Sequence, residues 1–292
     1  MIIIEKPSYL SFIDVSLKLT ERLPSYLSKY SKHDFTQQQL MTLYFLKQKS
    51  KMSYDDFIDD FSTRESAILE LGLKKIPSPS TLKMFAKRTD HLLLEQLIGE
   101  CIGLTRKRCL DTAVDSTGFQ LEDGSYSYLK RLGLATKKRK NLKVGGCVET
   151  TKHLFLSVKL RKKNRHDNID YKPLMKKAKK NTHKKIRVSV GDGAYDAEKD
   201  HEFAEENGFE HIAPLKNDVP VWRTKGVHRK RLRRKFPEKR YHRRSIIENM
   251  WFCVKRLCGK VIYSKKWAMQ RREMLAKIIA YNIHRLVQLL RI

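Results

Sequence analysis

Three carboxylates in this chain could do metal chemistry. Asp115 stands in AVDSTGF, late in an apolar stretch, and Asp192 in VSVGDGAYD, where a second apolar stretch runs into a Gly-flanked turn. Glu248 stands in RRSIIENMWFCVKRL, which has helical spacing. Two aspartates at strand ends and a helical glutamate can hold two divalent ions about 4 Å apart, an arrangement that activates water and stabilises a leaving oxygen in phosphodiester chemistry. All-oxygen ligands suit Mg²⁺ or Mn²⁺ rather than zinc. Each acid also has a plainer role. Asp115 can open a turn, Asp192 can satisfy its Gly-rich turn while Asp196 caps the next helix, and Glu248 can pair with Arg244 or Lys255. Their order along the chain and their basic surroundings favour the metal reading.

The elements that position these acids are legible as patterns. Residues 1–104 read as helical. Phe35–Lys49 has strong helix formers and an apolar face through Leu40, Leu43, Tyr44 and Leu46, with Asp34 or Thr36 as its cap. A Pro-Ser-Pro-Ser break at 77–80 precedes another helix, TLKMFAKR, with Ser80 as the expected N-cap. From Cys109 the pattern turns to strands. CLDTAVDSTGF, KVGGCVET and HLFLSVKL are three, the last two joined by a Thr151-Lys152 turn into a hairpin. A helix over about Asn168–Lys180, a strand IRVSVGD, a helix Ala197–Asn207 stopped by Gly208, and a short strand FEHIAPL follow. Residues 216–244 show little apolar periodicity, and two helices, about 243–258 and 268–290, close the chain. Order β-β-β-α-β-α-β-α predicts a mixed α/β fold of the ribonuclease-H-like kind, preceded by a small helical N-terminal domain that serves DNA-end binding or dimerisation. On the Glu248 helix, Arg244, Trp251 and Phe252 are neighbours at helical spacing, so one face can pack while Glu248 looks into the site.

Charge narrows the partner. The chain carries 62 Lys and Arg against 32 Asp and Glu. Residues 1–105 hold 14 of the basic and 13 of the acidic ones, which leaves a net of +29 to the remainder. Charge so segregated calls for a polyanion, and double-stranded DNA is the expected one. The densest run is RKRLRRK, made of Arg229, Lys230, Arg231, Arg233, Arg234 and Lys235 around Leu232, within a segment 216–244 that has 13 basic and two acidic residues. With KKRK at 137–140 and RKKNR at 161–165 it reads as a continuous track that neutralises phosphates with little base discrimination. The near-neutral N-terminal region is expected to add little. Forty per cent hydrophobic residues fit a folded chain. No apolar run spans a bilayer, and MIIIEKPSYL is not a signal peptide, so the expected place is the cytoplasm, on the nucleoid. Five cysteines without a secretion signal read as reduced thiols, with Cys253 and Cys258 as small buried hydrophobes rather than a zinc pair.

Around these residues the sequence resembles the insertion-sequence DDE transposases. In particular it is similar to the branch marked by Tyr, two residues, Arg, three, Glu, six, Lys, which Tyr241, Arg244, Glu248 and Lys255 match without a gap. VDSTGF resembles the family's first-Asp strand, GDGAYDAE its second, and RHDN at 165–168 an element that precedes a helix. The likeness covers roughly residues 105–290, and PSPSTLKMF is similar to the leader region. It implies a ribonuclease-H-like catalytic domain over 105–292, the triad Asp115, Asp192 and Glu248 on two Mg²⁺ or Mn²⁺ ions, and contacts of Tyr241, Arg244 and Lys255 with the DNA end. A homodimer in the DNA complex goes with that reading. Some members of the branch insert a long β-rich segment before the glutamate, with an aromatic that holds a flipped base. Only about 30 residues stand there in this chain, and Trp222 is read as packing.

The expected reaction is hydrolysis at a transposon end followed by in-line attack of the freed 3′-OH on target DNA, which needs no external energy source. No P-loop is present. A ribonuclease-H-like endonuclease that cuts without joining is the main alternative, and a descendant that only binds DNA is another.

Overall fold

A computed structural model of the chain describes residues 6–26, 28–30, 32–121, 131, 141–162, 166–216 and 219–290. The basic cluster 137–140 and residues 163–165 of the second cluster lie outside the described residues.

Six helices come first: α1 (Ser8–Thr20), α2 (Gln37–Ser50), α3 (Tyr54–Ser62), α4 (Glu65–Glu70), α5 (Pro79–Arg88) and α6 (His91–Glu100). Thr36 starts α2 with a reciprocal capping box: its hydroxyl accepts the Gln39 N–H at 3.2 Å, and the Gln39 side chain accepts the Thr36 N–H at 2.8 Å. The cap of α5 is Ser78 and not the expected Ser80, because Pro79 takes the first helical position, where its missing N–H costs nothing. Three strands follow, β1 (Cys109–Leu121), β2 (Asn141–Glu149) and β3 (Leu154–Arg161), antiparallel in sequence order. Then come α7 (Tyr171–Thr182), β4 (Lys185–Val190), α8 (Glu198–Glu206) and β5 (Glu210–Ile212). The sheet order is β3-β2-β1-β4-β5, with β4 parallel to β1 and β5 parallel to β4. The fold is thus mixed α/β around a mixed sheet.

The basic segment 216–244, to which the sequence assigns no element for want of apolar periodicity, is largely helical among its described residues. It holds α9 (Val227–Arg234), α10 (Glu238–Tyr241) and 3-10 turns at Val221–Arg223 and His242–Arg244. Acids on a neighbouring element hold α9, which explains why its own sequence carries so little apolar signal. Then come α11 (Ser245–Cys258), a two-residue strand β6 (Val261–Ile262) and α12 (Trp267–Leu290). Strand β6 pairs in parallel with the far end of β1, through Gln120↔Val261 and Leu121↔Ile262.

Helix α12 is the spine. Its run from Glu273 to Ile283 is buried without a break, and it touches α1, α2, α5, α6, α11 and β3. Asn282, fully buried, accepts the Phe155 N–H at 2.9 Å and donates to the Phe155 carbonyl at 2.8 Å and the Ile98 carbonyl at 3.3 Å, tying α12 to β3 and α6. One hydrophobic cluster runs from Phe12 on α1 to Val287 on α12. No helix among the described residues is long and apolar enough to cross a membrane.

Candidate active site

The first half of β1 pairs with β4 and its last residues with β6, so on that edge residues 114–119 face neither strand. Asp115 stands in this gap. Parallel pairing aligns Ala113 with Val190. Two residues beyond each lie Asp115 and Asp192, so Asp192, just past the end of β4, stands level with Asp115. Asp115 is not at the strand end expected for it but in the middle of β1, which continues to Leu121 along β2. Asp192 begins a 3-10 turn over Gly193–Tyr195, and its Oδ1 accepts the Ala194 N–H at 2.8 Å. The plain turn-forming role is therefore met, and the other oxygen of Asp192 is not committed to it.

Helix α11 reaches the sheet because β2 carries two glycines. Gly146 is the cross-strand partner of Asp115. A Cβ there would stand 2.6 Å from Trp251 Cζ2, and one on Gly145 would meet the Asp170 carboxylate and Leu174 at 3.3 Å on the other face. Trp251 thus packs over the sheet on the face that carries the Asp115 side chain, tilted against Phe155 at 4.7 Å and edge-on to Phe119 at 6.2 Å. Glu248 is three residues earlier on that helix. Phe252, expected on the packing face, is 64% exposed.

The three acids act on one another through space. Burial first, and then the charges of Asp192 and Glu248, raise the Asp115 carboxyl from its ordinary 3.8 to about 6. The Ser116 backbone and the Arg244 guanidinium oppose the rise. Glu248 itself is half-exposed and ion-paired with Arg244. Among the described residues, no group of three His, Cys, Asp or Glu side chains converges tightly enough to hold a metal ion. The donor set still suits a hard cation: three carboxylates from three elements, one of them destabilised by the negative charge of the other two.

Lys255 lies two turns beyond Glu248. Its Nζ donates to Thr117 Oγ1 at 2.7 Å and stands 5.4 Å over the Phe119 ring. Burial lowers its pKa and the charge of Asp115, two residues from Thr117 on the same strand, opposes that. Arg244 meets both Glu248 and, through space, Asp115. Tyr241 packs edge-on against Phe236 at 5.1 Å and acts on Arg244 only electrostatically.

The basic run divides in two. Arg229 is held by Asp196 through two hydrogen bonds of 2.7 and 2.8 Å. Asp196 is therefore the anchor of α9 rather than the cap of α8, whose N-cap position is Ala197. Glu198 accepts the backbone N–H groups of His228 and Arg229 at 2.9 and 3.2 Å. Gly226, at φ +93°, leaves room for this, since a Cβ there would meet the Glu198 carboxylate at 2.0 Å. Leu232 is buried and Arg233 partly so, while Lys230, Arg231, Arg234 and Lys235 are exposed. Trp222, read as packing, is 73% exposed, with the Arg223 guanidinium 4.6 Å from its ring. Cys258 is buried as expected, but Cys253 is exposed.

A second acidic group escaped the reading of the sequence. Asp167 accepts Ser116 Oγ at 2.7 Å and is paired with Lys143 and Arg161; Asp170, fully buried, is 2.8 Å from Arg161 and 3.3 Å from Lys159. Arg161, assigned to the phosphate track, is instead an internal strut with an 11% exposed side chain. The charges of Asp115, Asp167 and Asp192 add to burial in raising the Tyr195 hydroxyl, whose oxygen has no partner among the described residues. The signal was present: Asp167 and Asp170, three apart at a helix start, followed a strand that ends in Lys159 and Arg161.

A family profile described as "Transposase DDE domain" matches residues 110–283. A search of the curated proteins returns no match. Among solved structures the chain is similar to one described as the piggyBac transposase synaptic complex with hairpin DNA, at 7% identity and a TM-score of 0.47, over 97% of this chain and 73% of that one.

Proposed function

The chain belongs to the transposase DDE-domain family, whose profile spans more than half of it, and on that premise we propose that it cleaves transposon ends and joins the freed 3′ end to target DNA, with Asp115, Asp192 and Glu248 as its catalytic carboxylates. Members of this family use divalent metal ions. In this reading the catalytic domain is ribonuclease-H-like, covers 105–292, and follows the helical region 1–104. One observation supports the assignment of the triad: the β1–β4 register sets Asp192 level with Asp115, and the close approach of Trp251 to Gly146, the cross-strand partner of Asp115, brings the helix of Glu248 onto the same face.

Two ions, Mg²⁺ or Mn²⁺, held by these carboxylates would supply an activated water and a stabilised leaving 3′ oxygen. The chain's own groups do the rest. Asp192 stays fixed just past the end of β4 and Asp115 in the middle of β1 beside it, so the reacting phosphate has a rigid floor. Glu248 turns from Arg244 toward that floor, a change of rotamer on a helix that Trp251 holds in place. Arg244, released, has the planar fork that binds a phosphate through two hydrogen bonds, and Lys255 offers a point charge beside Thr117. Double-stranded DNA is the partner, and a homodimer on DNA accords with a reaction at two ends. Lys230, Arg231, Arg234 and Lys235 on α9 supply affinity for the duplex, and Arg229, with Asp196, keeps that helix docked.

The test is direct. Purified protein with Mg²⁺ and labelled DNA from the regions flanking its coding sequence should give nicked ends, and then joined products once a target duplex is added. Nicking without joining would assign the chain to endonucleases of this fold; neither product would refute the proposal.

A further inference from the structure

Helix α11 has a second working face. Away from Glu248, it borders a cavity of about 560 Å³ whose lining includes Lys51, Cys253, Arg256, Leu257, Tyr281 and Arg285. Among the described residues no Asp or Glu lines it. Lys51 and Arg256 are exposed, and among the described residues neither side chain has a hydrogen bond or an ion pair. Lys51 is held in the left-handed conformation that ends α2, at φ 63°. Arg285 donates to the Lys152 carbonyl at 3.1 Å and to Gln288 Oε1 at 3.0 Å, both neutral acceptors, so its charge stays uncompensated. The Arg285 charge is felt nearby: after burial, it lowers the pKa of His153 at the same cavity, against the buried Glu149 carboxylate and the Thr150 backbone, which raise it. Beneath the cations lie Leu257 and the nearly buried Tyr281. The volume is that of a small-ligand site.

We propose that this cavity binds a phosphate ester, the backbone phosphate of a DNA strand that has passed the carboxylate site. Lys51, Arg256 and Arg285, with no lining carboxylate among the described residues, call for an anion, and phosphate takes hydrogen bonds from guanidinium groups such as those of Arg256 and Arg285. Cys253 and Arg256 follow Glu248 by five and eight residues, about 8–12 Å along the axis at roughly 1.5 Å per residue and on another side of the helix, so a strand leaving the carboxylate site would pass round α11 to reach the cavity. The inference rests on the DNA-cleaving reading only for the source of the phosphate, since a free nucleotide presents the same chemistry.

Cys253 reports on the cavity, being the exposed thiol among the five. In the full-length protein, with EDTA present to prevent cleavage, the rate of Cys253 alkylation by N-ethylmaleimide is followed by mass spectrometry. A duplex at about ten times its Kd should slow alkylation about tenfold, as mass action requires. Arg256→Glu and Lys51→Glu should each remove that protection while the melting temperature holds and the duplex still shifts in a gel. Equal protection by dAMP would give the site to free nucleotides and keep its phosphate chemistry. Alkylation unaffected by either ligand, or protection that survives both substitutions, overturns the proposal. A duplex that binds without protecting Cys253 removes the cavity alone, whereas a protein that binds no duplex at all removes the enzymatic reading.

Discussion

At the scale of single residues, the account depends on a carboxyl group held in an unfavourable state. Asp115 has its pKa raised from 3.8 to about 6. The folded chain therefore keeps a proton there that the unfolded chain releases. Between about pH 4 and 6 the native state binds more protons than the unfolded one, so this group's contribution to stability falls as pH rises and levels off above about 6. At pH 7 without divalent ions, Asp115→Asn should be more stable than the natural chain by about 1–3 kcal/mol. Thermal melts at pH 5 and 7 check this, and the difference should shrink toward pH 4. Added Mg²⁺ should raise the melting temperature of the natural chain and leave that of Asp115→Asn unmoved. Arg244 and Lys255 give a second prediction. Replacing either by Ala should leave the melting temperature nearly unchanged and cut strand cleavage about tenfold, roughly 1.4 kcal/mol of lost transition-state stabilisation. If Arg244 only forms an intrahelical pair with Glu248, its loss should cost no activity and about 0.3–0.5 kcal/mol at most.

At the scale of elements, the site depends on how closely α11 approaches the sheet. Gly146→Ala would place a Cβ 2.6 Å from Trp251. The tryptophan must move, at a cost of about 1–3 kcal/mol, and cleavage should fall because Glu248 rides on the same helix. Urea melts together with a nicking assay check both effects; full activity would mean that the Trp251 contact does not set the position of Glu248. Much of this architecture was legible beforehand. The alternation of β1, the hairpin of β2 and β3, and the stop at Gly208 are local signals, and the structure agrees with them. The two-residue β6 is too short to leave a period. The basic segment 216–244 hid its helices because the forces that fold it are not its own: Asp196 and Glu198 hold α9, Glu210 pairs with Arg240, and Asp111 with Arg243. Long-range pairs of this kind leave no periodic trace, and for the same reason Arg161 read as a phosphate contact when it is a largely covered strut paired with Asp167 and Asp170. The exposure of Trp222 and Cys253 was equally hidden, since amino-acid type sets an average burial and packing sets the actual one.

At the scale of the whole molecule, the charge asymmetry and the shared core pull in different directions. Nearly all the net charge lies after residue 105, yet the N-terminal helices share one hydrophobic cluster with α12. DNA affinity should therefore be altered by changing surface cations in the intact chain rather than by dividing it. Replacing Lys230, Arg231, Arg234 and Lys235 together by Ala should weaken duplex binding uniformly across sequences and lower the slope of log K against log salt by about three to four. An unchanged slope would mean that the exposed face of α9 does not touch the backbone. The central claim is that one carboxylate triad does the cutting while other groups do the holding. Its most direct test compares the natural chain with Asp115→Asn, Asp192→Asn and Glu248→Gln, each assayed for Mg²⁺-dependent strand cleavage and, in parallel, for duplex binding by gel shift. The account predicts cleavage reduced at least about a thousandfold in every variant, roughly 4 kcal/mol or more of lost barrier lowering, with affinity for the duplex within about twofold of the natural chain. Substantial cleavage by any one of the three would contradict the assignment of that residue and, with it, the triad.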